Sequence, residues 1–155
     1  LIWTTSPWTL PSNLAAAVHP DVDYVTVEAN GERYLLAEAR VAAYARELGE
    51  EPPVVARCKG ADLVGRKYAP PFDFFVGREN AHQVLAADYV TTEDGTGMVH
   101  IAPAFGEEDK VVTDAAAVSP RVRRKCSGAD RSCAIDLVES STISSFTIVW
   151  SRFGP

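Results

Sequence analysis

Two short segments hold most of the side chains able to do chemistry. The first is Trp3-Thr4-Thr5-Ser6-Pro7-Trp8-Thr9-Leu10-Pro11-Ser12-Asn13, in which Thr4, Thr5, Ser6 and Thr9 put four hydroxyls into six positions. Hydroxyls both donate and accept hydrogen bonds, as needed to hold a water or a ribose. Pro7 and Pro11 fix φ and stiffen the loop, and Trp3 and Trp8 offer rings that can bury it against a neighbouring sheet. The same composition also fits a threonine-rich edge strand and turn, since threonine favours strands.

The second segment runs Gly95-Thr96-Gly97-Met98-Val99-His100-Ile101-Ala102-Pro103-Ala104-Phe105-Gly106-Glu107-Glu108-Asp109. Its glycines allow a close turn before a strand. Strand alternation predicts Val99 and Ile101 on one face and Met98, His100 and Ala102 on the other. His100 would then stand beside the loop 103–106, from which a helix carrying Asp109 in its first turn begins. A lone strand histidine is also an ordinary core or surface residue, and an aspartate in a first helical turn is also a helix-stabilising charge. Gly95-Thr96-Gly97 is too short for a dinucleotide fingerprint and lacks the Lys-Ser/Thr ending of a phosphate loop. His19, His82 and His100 are scattered, so no metal site is expected. Spacing alone stops at a soluble β-rich domain.

The elements that must position these segments are short. Residues 13–19 form an apolar run closed by His19-Pro20-Asp21. Tyr24 to Glu28 and Arg33 to Ala37 flank Asn30-Gly31, a hairpin signal. Val41, Tyr44, Ala45 and Leu48 recur at helical spacing, with Gly49 placed to stop the helix. Val54 to Lys59 reads as a strand, Gly60 to Gly65 as a tight connection, and Tyr68 to Phe75, with Pro70-Pro71, as irregular. His82 to Ala87 and Met98 to Ala102 are further strands, and Glu107 to Ala116 is a helix. The pattern predicts a mainly β protein with inserted helices (α+β), built as a small β-barrel.

Composition sets the frame. The 155 residues carry a net charge of −6, and the average hides a boundary. Residues 1–115 hold nine Lys/Arg against eighteen Asp/Glu, a net of −9; residues 116–155 hold six against three, a net of +3. Eight serines and two of the three cysteines (Cys126 and Cys133) also fall in the later part, which opens on Arg121 to Lys125. That part reads either as a basic surface segment ending in a strand over Ile143 to Trp150, or as foreign or out-of-frame sequence. No run of about 18 apolar residues occurs, so no membrane helix is expected. Three cysteines without a CxxC pair, and no basic-then-apolar leader, point to a reducing cytoplasm. The start on a strand-like run without methionine reads as a piece of a longer chain.

Taken together, the two segments resemble the editing (connective polypeptide 1, CP1) domain inserted into class I isoleucyl-tRNA synthetases. That family's signatures read WTTTPWTLPxN and GTGxVHxAPxxGxxD, standing here as Trp3 to Asn13 and Gly95 to Asp109. Ser6 replaces the usual third threonine, keeping the hydroxyl and losing a methyl. Valyl and leucyl editing domains resemble TTRPxT at the first segment, with arginine where Ser6 stands, and valyl enzymes carry lysine where His100 stands. Trp8, Asn13 and His100 therefore favour the isoleucyl branch over those alternatives. The resemblance covers residues 3–115, so the expected organisation is an editing domain over 1–115 and a basic, serine-rich tail over 116–155.

The resemblance implies a barrel of the valyl/isoleucyl/leucyl editing type that hydrolyses the ester of valyl-tRNA(Ile) and spares isoleucyl-tRNA(Ile). It implies catalytic roles for Thr4, Thr5, Ser6 and Asp109, with Asp109 pairing with the substrate's α-ammonium. It implies substrate-binding roles for Thr9, Asn13, Trp8 and His100, the last as the wall of the side-chain pocket. Editing itself would use no cofactor or metal, whereas the parent synthetase uses ATP and Mg. The implied partners are the 3′ end of charged tRNA(Ile) and the remainder of that synthetase. A fragment that binds aminoacyl-adenosine without turnover, or one with neither property, is the rival reading from a different class.

Overall fold

The structure, a computed structural model, describes residues 1–118. The described residues form two three-stranded sheets. In the first, β1 (Ala15–Val18) lies at the centre, parallel to β5 (Gln83–Ala86) and antiparallel to β6 (Met98–Ile101). All four β1 residues are buried, which their small side chains permit in a strand covered on both faces. The period of two divides them: Ala16 and Val18 join Tyr24, Tyr68 and Met98 in one cluster, while Ala15 and Ala17 join Leu14, Leu85 and Ile101 in another. Val99 packs on the second cluster with Ile101, so the expected division of the β6 side chains holds.

The second sheet has the order β3-β2-β4, formed by β2 (Asp23–Ala29), β3 (Glu32–Ala37) and β4 (Val54–Lys59). The β2–β3 hairpin turns at Asn30 and Gly31, with φ of 55° and 79°, as a tight two-residue hairpin turn requires. The expected helix near Tyr44 is part 3-10 (Glu38–Tyr44) and part α (α1, Ala45–Leu48). It buries Tyr44 and Leu48 against Val25, Val27 and Leu36, and Gly49 ends it by donating to the Ala45 carbonyl. The last helix of the described residues, α3 (Glu107–Ala115), follows β6 through a turn at Pro103–Phe105.

Three expectations change. Gly60 to Gly65 is not only a tight connection: Gly60–Leu63 makes one α turn, α2, because the Asp62 carboxylate accepts the Lys59 N–H and Leu63 finds a buried place. Among the described residues, helical turns together occupy about as many positions as strands, so this part is mixed α and β rather than mainly β. No closed barrel exists among the described residues; the strands form two separate sheets. The tail features Arg121 to Lys125, Cys126, Cys133 and the strand over Ile143 to Trp150 lie outside the described residues. Val118, just past the compositional boundary, is buried with Leu14 and Ile101.

The loop before β6 ties the sheets together. Tyr24 on β2 donates its hydroxyl to the Gly97 carbonyl at 2.5 Å, and the Ala37 N–H reaches the Thr96 carbonyl at 2.8 Å. Arg40 donates to the carbonyls of Gly95 and Glu93. Gly97 has φ of 74°, and a Cβ there would lie 2.5 Å from the Ala37 Cβ. Gly31 has a similar φ but open space around it. Gly31→Ala should therefore cost about 1 kcal/mol, from backbone strain alone. Gly97→Ala should cost about 3 kcal/mol, because overpacking adds to the strain. Urea unfolding of the two variants checks this, and equal losses would show that the contact with Ala37 does not constrain the loop.

Candidate functional site

The first signature segment reaches the second through the backbone. Trp3 pairs with β6, its N–H donating to the Met98 carbonyl at 3.1 Å, and its ring packs where a Gly95 side chain would otherwise sit. The chain then turns into a 3-10 helix over Pro7–Ser12. Pro7 suits the first position, where its missing N–H is no loss. The Ser6 carbonyl closes the turn by accepting the Thr9 N–H at 2.9 Å and the Thr9 hydroxyl at 2.8 Å. Thr4 Oγ1 accepts the Ser6 N–H at 3.1 Å. The threonine-rich segment is thus a turn, not an edge strand.

From this turn Thr9 and Asn13 project onto His100, and all three are buried. Thr9 Oγ1 lies 3.0 Å from His100 Nε2, and Asn13 Nδ2 lies 2.8 Å from His100 Nδ1. Asn13 Nδ2 also donates to the Ala15 carbonyl at 2.9 Å, and Asn13 Oδ1 accepts the Tyr68 hydroxyl at 2.5 Å. The Asn13 amide nitrogen can only donate, so His100 Nδ1 must accept. The Thr9 hydroxyl spends its hydrogen on Ser6, which leaves a lone pair for an N–H at His100 Nε2. The ring is therefore a neutral imidazole held at both nitrogens. Across β1 only the methyl of Ala16 stands opposite it in the strand register.

Asp109 sits in the first turn of α3, as expected, and its carboxylate bends back toward β6. Oδ2 accepts the Ala102 N–H at 2.9 Å, and Oδ1 accepts the Tyr89 hydroxyl at 3.2 Å. Each oxygen keeps further acceptor capacity, so the group can still take a cation. His100 feels the Asp109 charge, which favours protonation, but burial outweighs it and holds the imidazole below its usual range. Burial also lowers His82, a second interior histidine, whose Nε2 is buried without a hydrogen-bond partner. Burial, and then Asp109, push the Tyr89 phenol up.

The fold thus brings Thr9, Asn13 and His100 into direct contact and sets Asp109 beside them. Thr4 and Ser6 are half-buried in the adjoining turn, and Thr5 is exposed. Trp8 departs from the expectation that both tryptophans bury the loop: it is 75% exposed, because the 3-10 turn carries its ring outward. A cavity of about 660 Å³ among the described residues lies elsewhere, where Leu35, Arg57 and Lys67 contribute to its wall; it meets the network only at Tyr68. Tyr68 and Tyr89 were not singled out from the sequence. Tyr68 lies in the irregular Pro-Pro segment, and only its pairing beside β5, through the Tyr68 N–H to the His82 carbonyl, brings it to Asn13. Among the described residues no group of three His, Cys, Asp or Glu could hold a metal ion, and no helix is long and apolar enough to cross a membrane.

No family model matches the chain. It is 62% identical over 120 residues to the isoleucine–tRNA ligase of Mycobacterium tuberculosis (strain H37Rv), covering 77% of this chain and 12% of that enzyme. It is 66% identical over 116 residues to the isoleucine–tRNA ligase of Nocardia farcinica, covering 74% and 11%. The chain thus spans about an eighth of the length of these relatives. Among solved structures it resembles GlLeuRS-CP1, with a TM-score of 0.61 and 19% identity over 77% of this chain and 50% of that one. It also resembles the cytosolic leucyl-tRNA synthetase editing domain of P. falciparum, with a TM-score of 0.57 and 15% identity over 69% and 42%.

The two buried histidines make stability pH-dependent. Unfolded, each would titrate near 6.5; folded, each binds its proton only at lower pH. Below pH 6.5 the unfolded state therefore holds more protons, and stability present above that pH is lost as pH falls toward the folded-state values. The slope is up to about 1.4 kcal/mol per pH unit per histidine. Urea unfolding from pH 7.5 to 5 should show this loss, and His100→Gln should flatten the slope. An unchanged slope in that variant would mean His100 is not held neutral.

Proposed function

Given that the chain is homologous to a segment of isoleucine–tRNA ligases and has the fold of CP1 editing domains, we propose that it hydrolyses the ester of valyl-tRNA(Ile) and spares isoleucyl-tRNA(Ile). The observation that carries this reading is the buried contact of Thr9 and Asn13 with His100, which unites the two signature segments beside Asp109. The editing unit lies within residues 1–115 and acts in the cytoplasm.

The roles follow from the groups available. The Asp109 carboxylate takes the α-ammonium of the aminoacyl group, a charge-assisted contact. That fixes the side chain against His100, whose nitrogens are both engaged within the protein; the imidazole therefore acts as a rigid wall rather than as a base. One extra methylene is worth only about 10–200-fold in an apolar pocket that accepts both ligands, so a wall that excludes the larger side chain is the more effective filter. Thr4, Thr5 and Ser6 hold the attacking water and the ester, while Thr9 and Asn13 secure the turn that presents them. Exposed Trp8 borders this turn and offers its ring to the terminal adenosine. An aminoacyl ester is already activated, so placing the water and stabilising the oxyanion suffice without a strong base.

A body of net charge −9 repels a phosphate backbone, so other parts of the synthetase must deliver the tRNA end. Those parts, with ATP and Mg, perform the ligation chemistry. Deacylation assays with valyl- and isoleucyl-tRNA(Ile) test the assignment. Asp109→Ala should slow valyl-tRNA cleavage by about 100-fold, the loss typical of an unpaired buried charge. His100→Ala should raise isoleucyl-tRNA cleavage by at least tenfold. Full rate in the first variant or unaltered discrimination in the second would refute the corresponding role.

A further inference from the structure

Tyr68 belongs to neither signature segment, yet it ends the chain of donors that fixes His100. We propose that Tyr68 is a positioning residue: by donating to Asn13 Oδ1 it sets the direction of the Asn13 amide and, through it, the Nε2–H tautomer and ring orientation of His100. The relay runs one way. Tyr68 donates to Asn13 at 2.5 Å, Asn13 donates to Ala15 and to His100 Nδ1, His100 donates to Thr9, and Thr9 donates to the Ser6 carbonyl. An amide has two orientations of nearly equal shape, and only its partners choose between them. The Ala15 carbonyl selects the NH₂ on one side, and the Tyr68 hydroxyl selects the oxygen on the other.

Tyr68 is well placed for this. It is 8% exposed, its N–H is fixed by the His82 carbonyl at 2.9 Å, and its ring meets the His82 ring edge-on at 6.0 Å between centroids. Its hydroxyl therefore cannot swing to solvent without moving the ring. Burial pushes its phenol far up, so it stays a donor at any ordinary pH. Without the hydroxyl, keeping the amide leaves Asn13 Oδ1 buried and unpaired, while turning it over forfeits the bond to the Ala15 carbonyl, so the two orientations come close in energy. The turned amide would present oxygen to His100 Nδ1 and call up the opposite tautomer. Nε2 would then need a donor, and only by releasing Ser6 could Thr9 supply one. The change would run from residue 68 into the turn of the first signature.

The relay is internal to the protein and is tested without substrate; its effect on discrimination rests on the editing reading. Nitrogen-15 imidazole spectra of the full 155-residue chain at pH 7.5 should show His100 protonated at Nε2 alone, and a slowly exchanging Tyr68 hydroxyl proton close to the Asn13 amide. In Tyr68→Phe, with its cooperative melt retained, His100 should become a mixture of tautomers or the Nδ1–H form. Its valyl-over-isoleucyl deacylation ratio should fall about fivefold, the weight of one ordinary hydrogen bond. A wild-type His100 protonated at Nδ1, a rapidly exchanging Tyr68 hydroxyl, or an unaltered Nε2–H tautomer in Tyr68→Phe would each overturn the proposal. If that variant does not fold, the two wild-type observations decide it. Absence of deacylation in the unmodified chain, with the relay intact, would sink the editing reading and leave the relay standing.

Discussion

The buried contact of His100 with Thr9 and Asn13 is the constraint on which the rest of the site depends. It joins side chains 91 and 87 positions apart in the chain. A buried polar group without a partner costs about 1–3 kcal/mol, so none of the three can be placed independently of the others. The demand passes outward to the backbone. Asn13 must stand just before β1, β1 must lie beside β6 in the register that sets Ala16 opposite His100, and Thr9 must lie on a turn closed by Ser6. Gly97 and the Tyr24 hydroxyl then fix the start of β6 against the second sheet.

Separation of roles follows from this arrangement. The imidazole is saturated within the protein, which suits a wall and not a proton carrier. The carboxylate of Asp109 is held by Ala102 and Tyr89 yet retains acceptor capacity, which suits a cation anchor. Thr5 is exposed and Thr4 and Ser6 are half-buried, so solvent can reach this turn. In the proposed function, selectivity and hydrolysis fall to different residues on different elements, so one can be altered with the other kept.

Much of this was legible from local pattern. Period-two alternation placed His100 and Met98 on one face, Asn30-Gly31 marked the hairpin, and the acids before Lys110 marked the start of α3. What local pattern could not supply was partnership over distance. Trp8 looks like a buried ring from composition, but the 3-10 turn sends it outward. Tyr68 looks like part of an irregular Pro-Pro segment until β5 pairs in parallel with β1 and brings it to Asn13. Gly60 to Leu63 turns helical through a single Asp62 cap that a glycine-flanked stretch does not advertise. Barrel closure was an inference from strand number, and the two sheets of the described residues do not form one.

The central claim is that one site reads the ammonium with Asp109 and the side chain with His100. Binding of non-hydrolysable valyl- and isoleucyl-adenosine analogues to the full chain, with contacts mapped in a co-crystal structure, tests it most directly. The expected result is saturable binding of the valyl analogue, its ammonium within hydrogen-bond distance of the Asp109 carboxylate and its methyls against the His100 ring. The isoleucyl analogue should bind at least tenfold more weakly. Equal binding of the two, or a valyl ammonium held away from Asp109, would contradict the claim.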